Sequence, residues 1–230
     1  MFSKTDRVLC IAPHADDETL GCGGLISKLN LEKIDTHIFV VTGSGEGEHP
    51  IFPLNTWEKV RSEFKLAIKE LGNPSFEFSN LPAALLDQIP NYKINQCISD
   101  ILKSYDPNVI LIPFNNDLHN DHKIINNATI IATRPYLGKN EKIKLIVEYE
   151  TLSETNIYNL DNQNIFFPNF YVDISNTLEN KLNAFRKYKS QTQSKNQPRS
   201  IEGIKSLARY RGTNINKKYA EAFKILYQKY

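Results

Sequence analysis

The stretch Val8-Leu9-Cys10-Ile11-Ala12-Pro13-His14-Ala15-Asp16-Asp17-Glu18 decides how this chain is read. An apolar run of strand length ends in a proline, then releases one imidazole and three carboxyls. Gly21-Cys22-Gly23-Gly24 follows at the expected opening of a helix. Charges crowded against the end of a buried strand are costly unless they bind something. Much later, Val109-Ile110-Leu111-Ile112-Pro113-Phe114 reads as a second buried strand and runs into His119-Asn120-Asp121-His122. Two strand ends, each releasing a His/Asp cluster, predict one metal site assembled from both.

Outward from these strands, β-rich apolar runs alternate with amphipathic stretches. Residues 8–13, 36–42, 76–80, 109–114 and 143–150 read as strands; 17–30, 56–71, 92–105 and 121–133 read as helices. This rhythm predicts an α/β fold, a three-layer αβα sandwich with a mostly parallel, Rossmann-like sheet. Helix-sized crossovers are what parallel pairing needs. The Asn-rich segment 151–171 reads as loop with short extended pieces. Asn176-Thr177-Leu178-Glu179 offers an N-cap with Glu three residues on, which predicts a helix to about Tyr188. Residues 190–200 read as loop and 216–228 as the final helix. No repeat or linker divides the chain, so residues 1–230 are expected to form one domain. In open parallel sheets, sites form beyond the carboxyl ends of strands where strand order reverses, and both His/Asp clusters lie at such ends.

The 230 residues suffice for a sizeable core, and an apolar fraction of 40% with mixed charge fits a soluble globular protein. No segment approaches a membrane span, and residues 1–7 lack the apolar stretch and cleavage site of a signal peptide. Cys10, Cys22 and Cys97 are odd in number and widely spaced, which argues against a disulfide framework and for a reducing cytoplasm. Cys22 is expected to fill space. The net charge of +2 hides an asymmetry: residues 181–230 carry thirteen Lys/Arg against two acids. Solvated helix faces would explain that. The sharper expectation is a basic surface for phosphate-bearing substrates or peripheral contact with an anionic membrane face. Nucleic acid is not expected, because no binding motif accompanies the charge.

His14-x-Asp16-Asp17-Glu18 after the first strand, with His119-x-Asp121-His122 after a later one, resembles the PIG-L/LmbE-like family of zinc-dependent sugar N-deacetylases. Ala15 stands where the family's usual motif has Pro, a departure that keeps every ligand type. Thr42-Gly43-Ser44-Gly45-Glu46 is similar to the family's loop after the second strand, and Arg61-Ser62-Glu63 with Ala67 and Leu71-Gly72 to its Arg/Glu helix. Tyr188-Lys189-Ser190-Gln191, Arg211-Gly212 and Tyr219-Ala220-Glu221-Ala222-Phe223 resemble its C-terminal elements, so the likeness covers nearly the whole chain.

A catalytic zinc takes three protein ligands and keeps one open position. His14, Asp17 and His122 form a candidate set, and the resemblance implies the same three, holding Zn2+ with Fe2+ as the alternative. It implies Asp16 as general base, and His119 as the donor that stabilises the oxyanion of amide hydrolysis. Asp121 is expected to orient the His119 ring and raise its pKa. Asp117 stands where one family subset has a mobile Tyr. Glu18 is expected to cap the helix and orient the loop. Gly21, Gly23 and Gly24 are expected to allow close approach of helix and sheet, since the dinucleotide fingerprint is absent. Arg61 and, more weakly, Glu46 are candidate substrate contacts. Arg61 has an alternative as a surface salt bridge to Glu58 or Glu63. Tyr188, Gln191, Arg199 and Arg211 are the candidates of this basic segment, the two arginines being suited to clamp a diphosphate. His37 and His49 are assigned no role, His49 lying in a loop without partners.

The implied function is deacetylation of a GlcNAc-type sugar, free, nucleotide-linked or lipid-linked. Two competing readings remain: a metal-dependent hydrolase of another amide or ester, and a nucleotide-sugar-binding module without catalysis. Asp16 and His119 argue against the last, because a binding module needs neither base nor acid.

Overall fold

A computed structural model describes residues 2–53, 55–158 and 165–230. The run that opens the sequence forms strand β1 (Arg7–Ala12), and the acids after it open helix α1 (Asp17–Leu31). The chain continues through β2 (Asp35–Gly43), α2 (Asn55–Glu70), β3 (Ser75–Pro82), α3 (Asn91–Tyr105), β4 (Val109–Pro113), α4 (Asn120–Ala132) and β5 (Leu145–Tyr149). Then come β6 (Phe170–Asp173), α5 (Leu178–Lys187), α6 (Ile201–Thr213) and β7 (Ala220–Gln228). The strands make one seven-stranded sheet of order β3-β2-β1-β4-β5-β7-β6. Its first five strands are parallel; β7 runs antiparallel to both β5 and β6.

Alternation along the central strands sorts their side chains between two cores. In β1, Val8, Cys10 and Ala12 join a core shared with α1, α2, α5 and α6, whereas Leu9 and Ile11 face one shared with α3 and α4. In β4, Val109 and Leu111 take the first side, Ile110 and Ile112 the second. The sheet is therefore covered on both faces, as the sequence predicts. Strand order reverses at β1, which has β2 on one side and β4 on the other. Register pairs Val8 with Val109 and Cys10 with Leu111, so the two His/Asp-bearing ends leave the sheet side by side.

Close approach of α1 to the sheet is built on glycine. A Cβ on Gly21 would strike the Tyr149 ring, and one on Gly24 would come to 2.7 Å from Ile174. Tyr149 in turn donates its hydroxyl to the Ile11 carbonyl at 3.0 Å, tying β5 to β1 beneath the site. Cys22 is buried in the same core, as expected of a space-filler.

Three expectations need correction. Residues 216–228 do not form a helix: Ala220–Gln228 is the strand β7. Ala, Glu and Lys in this segment favour a helix, but β5 and β6 offer hydrogen bonds along both of its edges, and tertiary pairing wins over propensity. Helix α6 is absent from the expected elements because Gly203 and Gly212 dilute its pattern; Ser200 nonetheless caps it, its hydroxyl accepting from the Gly203 N–H at 3.0 Å. Helix α5 starts one residue later than expected, with Thr177 as N-cap and its hydroxyl spent on the Gly24 carbonyl at 2.9 Å. The 151–171 segment does contain one extended piece, the start of β6, while residues 159–164 lie outside the described residues.

Candidate metal centre and cleft

β1 ends at Ala12, and Pro13 accepts hydrogen bonds from both the backbone N–H and the hydroxyl of Thr42 on β2, at 3.1 and 2.7 Å. His14 is thereby fixed just above the sheet. Its Nδ1 lies 3.2 Å from Asp17 Oδ2, and its backbone N–H donates to that oxygen at 2.9 Å. From the neighbouring strand end, His122 on α4 brings Nε2 to 3.2 Å from the same oxygen. The three expected ligands thus converge through one atom each. His119 is also close: its ligand atom lies within 4.8 Å of those of His14 and His122, and its ring centroid is 4.5 Å from that of His14.

The far nitrogen of each converging imidazole meets a carboxylate. His14 Nε2 is 3.2 Å from Asp121 Oδ2, and His122 Nδ1 is 2.8 Å from Asp117 Oδ2. Such carboxylates fix ring orientation and tautomer and raise ligand basicity. Burial pulls the His14 pKa down, but Asp121 and Asp17 more than offset it and hold it at about 9. Burial likewise opposes His122, which Asp17 and Asp117 raise to about 10. Burial works to raise Asp17, yet His122 and His14 hold it well below the usual carboxylate range. Two imidazoles and a carboxylate, each backed or shared in this way and open to a cleft, fit a divalent cation with a preference for mixed N/O donors.

Asp117, fully buried behind His122, was given no role from the sequence; Thr155 donates its hydroxyl to the other carboxylate oxygen. Asp121 departs from expectation as well. Its carboxylate serves His14 and accepts from the Ala84 N–H at 2.6 Å, whereas among the described residues His119 receives only the Asp121 backbone N–H, on Nδ1 at 3.2 Å. That bond makes Nδ1 an acceptor and leaves the proton on Nε2. Burial and the neighbouring His14 and His122 push the His119 pKa down to about 4, the reverse of the expected rise.

Asp16 turns away from its neighbour. Its backbone sits at φ 143°, and its N–H donates to Glu18 Oε2 at 3.0 Å. Glu18 also accepts from the Thr19 and Tyr188 hydroxyls at 2.5 and 2.6 Å, so it organises the loop as expected. Burial and the adjacent Asp17 raise the Asp16 pKa to about 8, against the pull of Arg199, whose Nη1 lies 3.2 Å from Asp16 Oδ2.

Other sequence candidates divide sharply. Arg61 lines the cleft: its Nη2 donates to the Ser79 carbonyl at 2.8 Å and to Asn80 Oδ1 at 3.2 Å, and its guanidinium lies over Phe78. It pairs with neither Glu58 nor Glu63. Glu63 accepts from the backbone and side chain of Ser190. Glu46 is exposed and does not line the cleft. Arg199 does line it, but its guanidinium is committed to Asp16, Glu154, Gln191 and Ser153. Arg211 forms a two-pronged pair with Glu150 at 2.9 and 2.6 Å outside this cleft, so the expected diphosphate clamp is not assembled. His49 is buried and well partnered, contrary to expectation: its Nε2 donates to the Ala83 carbonyl at 2.9 Å, and its Nδ1 accepts from the backbone of Ile51 and Phe52.

The cleft over the cluster has a volume of about 240 Å3. Its lining combines charged groups, His14, Asp16, Asp17, His119, His122 and Arg199, with apolar ones that include Phe52, Trp57, Val60 and Phe78.

The family model described as PIG-L, GlcNAc-PI de-N-acetylase, matches residues 9–133, the segment from β1 to the end of α4 that carries the whole His/Asp cluster. A diacetylchitobiose deacetylase of Thermococcus kodakarensis is 26% identical over 239 residues, covering 98% of this chain and 85% of that protein. Among solved structures, an N,N'-diacetylchitobiose deacetylase from Pyrococcus horikoshii superposes with a TM-score of 0.74 at 22% identity, over 98% of this chain and 87% of that one. A 4-carboxy-2-hydroxymuconate hydratase from Pseudomonas putida gives 0.73 at 18% identity, over 98% of each chain. Structural likeness at these identities establishes the fold, which carries more than one chemistry.

Proposed function

This chain belongs to the PIG-L family of GlcNAc-PI de-N-acetylases, and on that premise we propose that it is a zinc-dependent hydrolase that removes acetyl from an N-acetylated, GlcNAc-type sugar. The observation that carries the reading is the convergence of His14 Nδ1 and His122 Nε2 on Asp17 Oδ2, with the Asp16 carboxyl one residue away in the same cleft. A bound cation supplies a Lewis acid that makes water acidic near neutrality and polarises the amide carbonyl. Two imidazoles and a carboxylate suit zinc, and Fe2+ accepts the same donors.

The chain's own groups do the rest. Asp16 in its ionised form takes the proton of the attacking water and returns it to the departing nitrogen; burial and Asp17 hold its pKa at about 8 against the pull of Arg199, so without a bound cation beside it this base is fully available only above that pH. His119 donates Nε2–H to the developing oxyanion as a neutral imidazole, its tautomer set by the Asp121 backbone. Arg61, with only Nη2 engaged among the described residues, has donors left for substrate hydroxyls. The mixed wall and polar rim suit a small sugar.

The test is acetate release from a panel of N-acetyl sugars by protein first chelated and then reloaded with zinc or iron, alongside elemental analysis of the purified protein. Release that needs the metal supports the reading. Amide or ester hydrolysis elsewhere with no acetate from any N-acetyl sugar would overturn the substrate, and full activity after chelation would overturn the mechanism.

A further inference from the structure

Between β2 and α2, Phe52 reaches the cleft, and a histidine beside it ties this part of the chain down. His49 donates to the Ala83 carbonyl, and its ring packs against Phe52 and Trp57 with centroids 5.2 and 5.4 Å apart. Phe52 and Trp57 meet edge to face at 5.7 Å. The anchor at Ala83 adjoins Ala84, whose N–H holds the Asp121 carboxylate behind His14. The aromatic pair is thus tied by a short rigid path to the reacting centre.

Nothing in the core requires these rings. Helix α2 buries Glu63, Phe64, Ala67 and Ile68 against the rest of the molecule. Trp57 and Val60, with Arg61 beside them, sit at helical spacing on its first turns and line the cleft. Phe52 is 37% exposed and Trp57 half-buried. The Trp57 indole N–H has no acceptor among the described residues, a costly condition for a buried donor. The same cleft is also lined by polar groups, Glu154, Gln191 and Arg199. A cleft that combines aromatic surface with polar groups matches a pyranose ring, whose C–H face is apolar and whose edge is ringed with hydroxyls.

We propose that Trp57 and Phe52 form a stacking platform for the sugar ring, a binding subsite beside the catalytic cluster that determines affinity for the ring and takes no part in proton transfer. It rests on the sugar-deacetylase reading only for the identity of the ring. Trp57 is the sole tryptophan of the chain, so its emission reports on the platform directly. Titration with glucosamine and with N-acetylglucosamine should shift that emission saturably, whereas acetamide, which has the amide but no ring, should not. In turnover, Trp57→Ala should raise KM about tenfold with kcat within about twofold, and Trp57→Phe, which keeps a ring, should hold KM within about threefold. Phe52→Ala, a change at the exposed mouth of the cleft, carries the same KM expectation should Trp57→Ala fail to fold. Emission indifferent to both sugars, or variants that lower kcat at constant KM, would overturn the platform. Acetate release with a silent tryptophan overturns this inference alone; saturable ring binding with no acetate from any N-acetyl sugar overturns the deacetylase reading alone.

Discussion

The proposed mechanism gives Asp16 and Asp17 different work, and the backbone turns sharply between them to allow it. A φ of 143° is rarely adopted by L-residues, and it persists here because Glu18, Arg199 and the start of α1 all hold Asp16 in place. Asp17→Ala or His122→Ala should lower bound metal well below one per chain, each removing one of three converging donors, as elemental analysis will read. Asp16→Asn should keep the metal and cut turnover about 10²–10⁴-fold; equal metal loss would reverse the two roles. The carboxylates behind the imidazoles make a further distinction. Because Asp117 and Asp121 back His122 and His14, Asp117→Ala and Asp121→Ala should each weaken metal affinity about 10–100-fold in chelator competition. An Asp121 that served only His119 would leave affinity unchanged. The two His/Asp clusters and the strand ends that bring them together were legible in the sequence, since a cluster of charges at the end of a buried strand is too costly to keep unless it binds something. Which carboxylate backs which imidazole was not. Asp117 and His122 are five residues apart across a turn, and Asp121 reaches His14 over 107 positions, so no local pattern records either pair.

Among the elements, the parallel core was readable because its strands are apolar on both faces and its crossovers have helical period, whereas the C-terminal part depends on contacts distant in sequence. Glu221 shows why. On β7 it accepts from the Gly24 and Leu25 N–H groups of α1 at 2.8 and 2.7 Å and from Lys181 of α5 at 2.6 Å. Lys181 also donates to the Leu20 carbonyl at 2.7 Å. A Glu between two alanines favours a helix when considered alone; here it is the buried joint of α1, α5 and β7. Lys181→Met should destabilise the protein by about 3–5 kcal/mol, because it leaves a buried carboxylate without its cation, and the two backbone donors that remain favour the lower end. Lys181→Met with Glu221→Gln should recover most of that loss. Denaturant midpoints measure both. A double variant no more stable than the single one would mean that the joint matters for its shape rather than its charge.

Over the whole molecule, charge is organised by pairing. Seven of the basic residues beyond position 180, namely Lys181, Lys187, Lys195, Arg199, Arg211, Lys217 and Lys224, sit against acids, most of them contributed by the first 180 residues. Part of the asymmetry legible in the sequence therefore joins the two parts of the chain, through Lys187, Arg199, Arg211, Lys217 and Lys224. The buried site groups give the molecule a pH response of definite sign. Against burial, neighbouring carboxylates raise His14 to about 9 and His122 to about 10 from 6.5, while burial raises Asp16 to about 8 from 3.8 and Glu18 to about 7 from 4.5. Each holds its proton more tightly folded than unfolded. Its stabilisation is complete below the unfolded pKa and is lost as pH rises through the folded one. His119, lowered to about 4, works in the opposite sense but has finished titrating above its unfolded value of 6.5. Between about pH 6.5 and 9 the chelated protein should therefore lose stability steadily. Metal binding runs the other way, because the ligands must shed their protons before they coordinate. Thermal melts across this range should show the midpoint of chelated protein falling as pH rises, while its gap to the zinc-loaded protein widens. A chelated midpoint that is flat or rising over the same interval would mean that these protons are not held by the folded site.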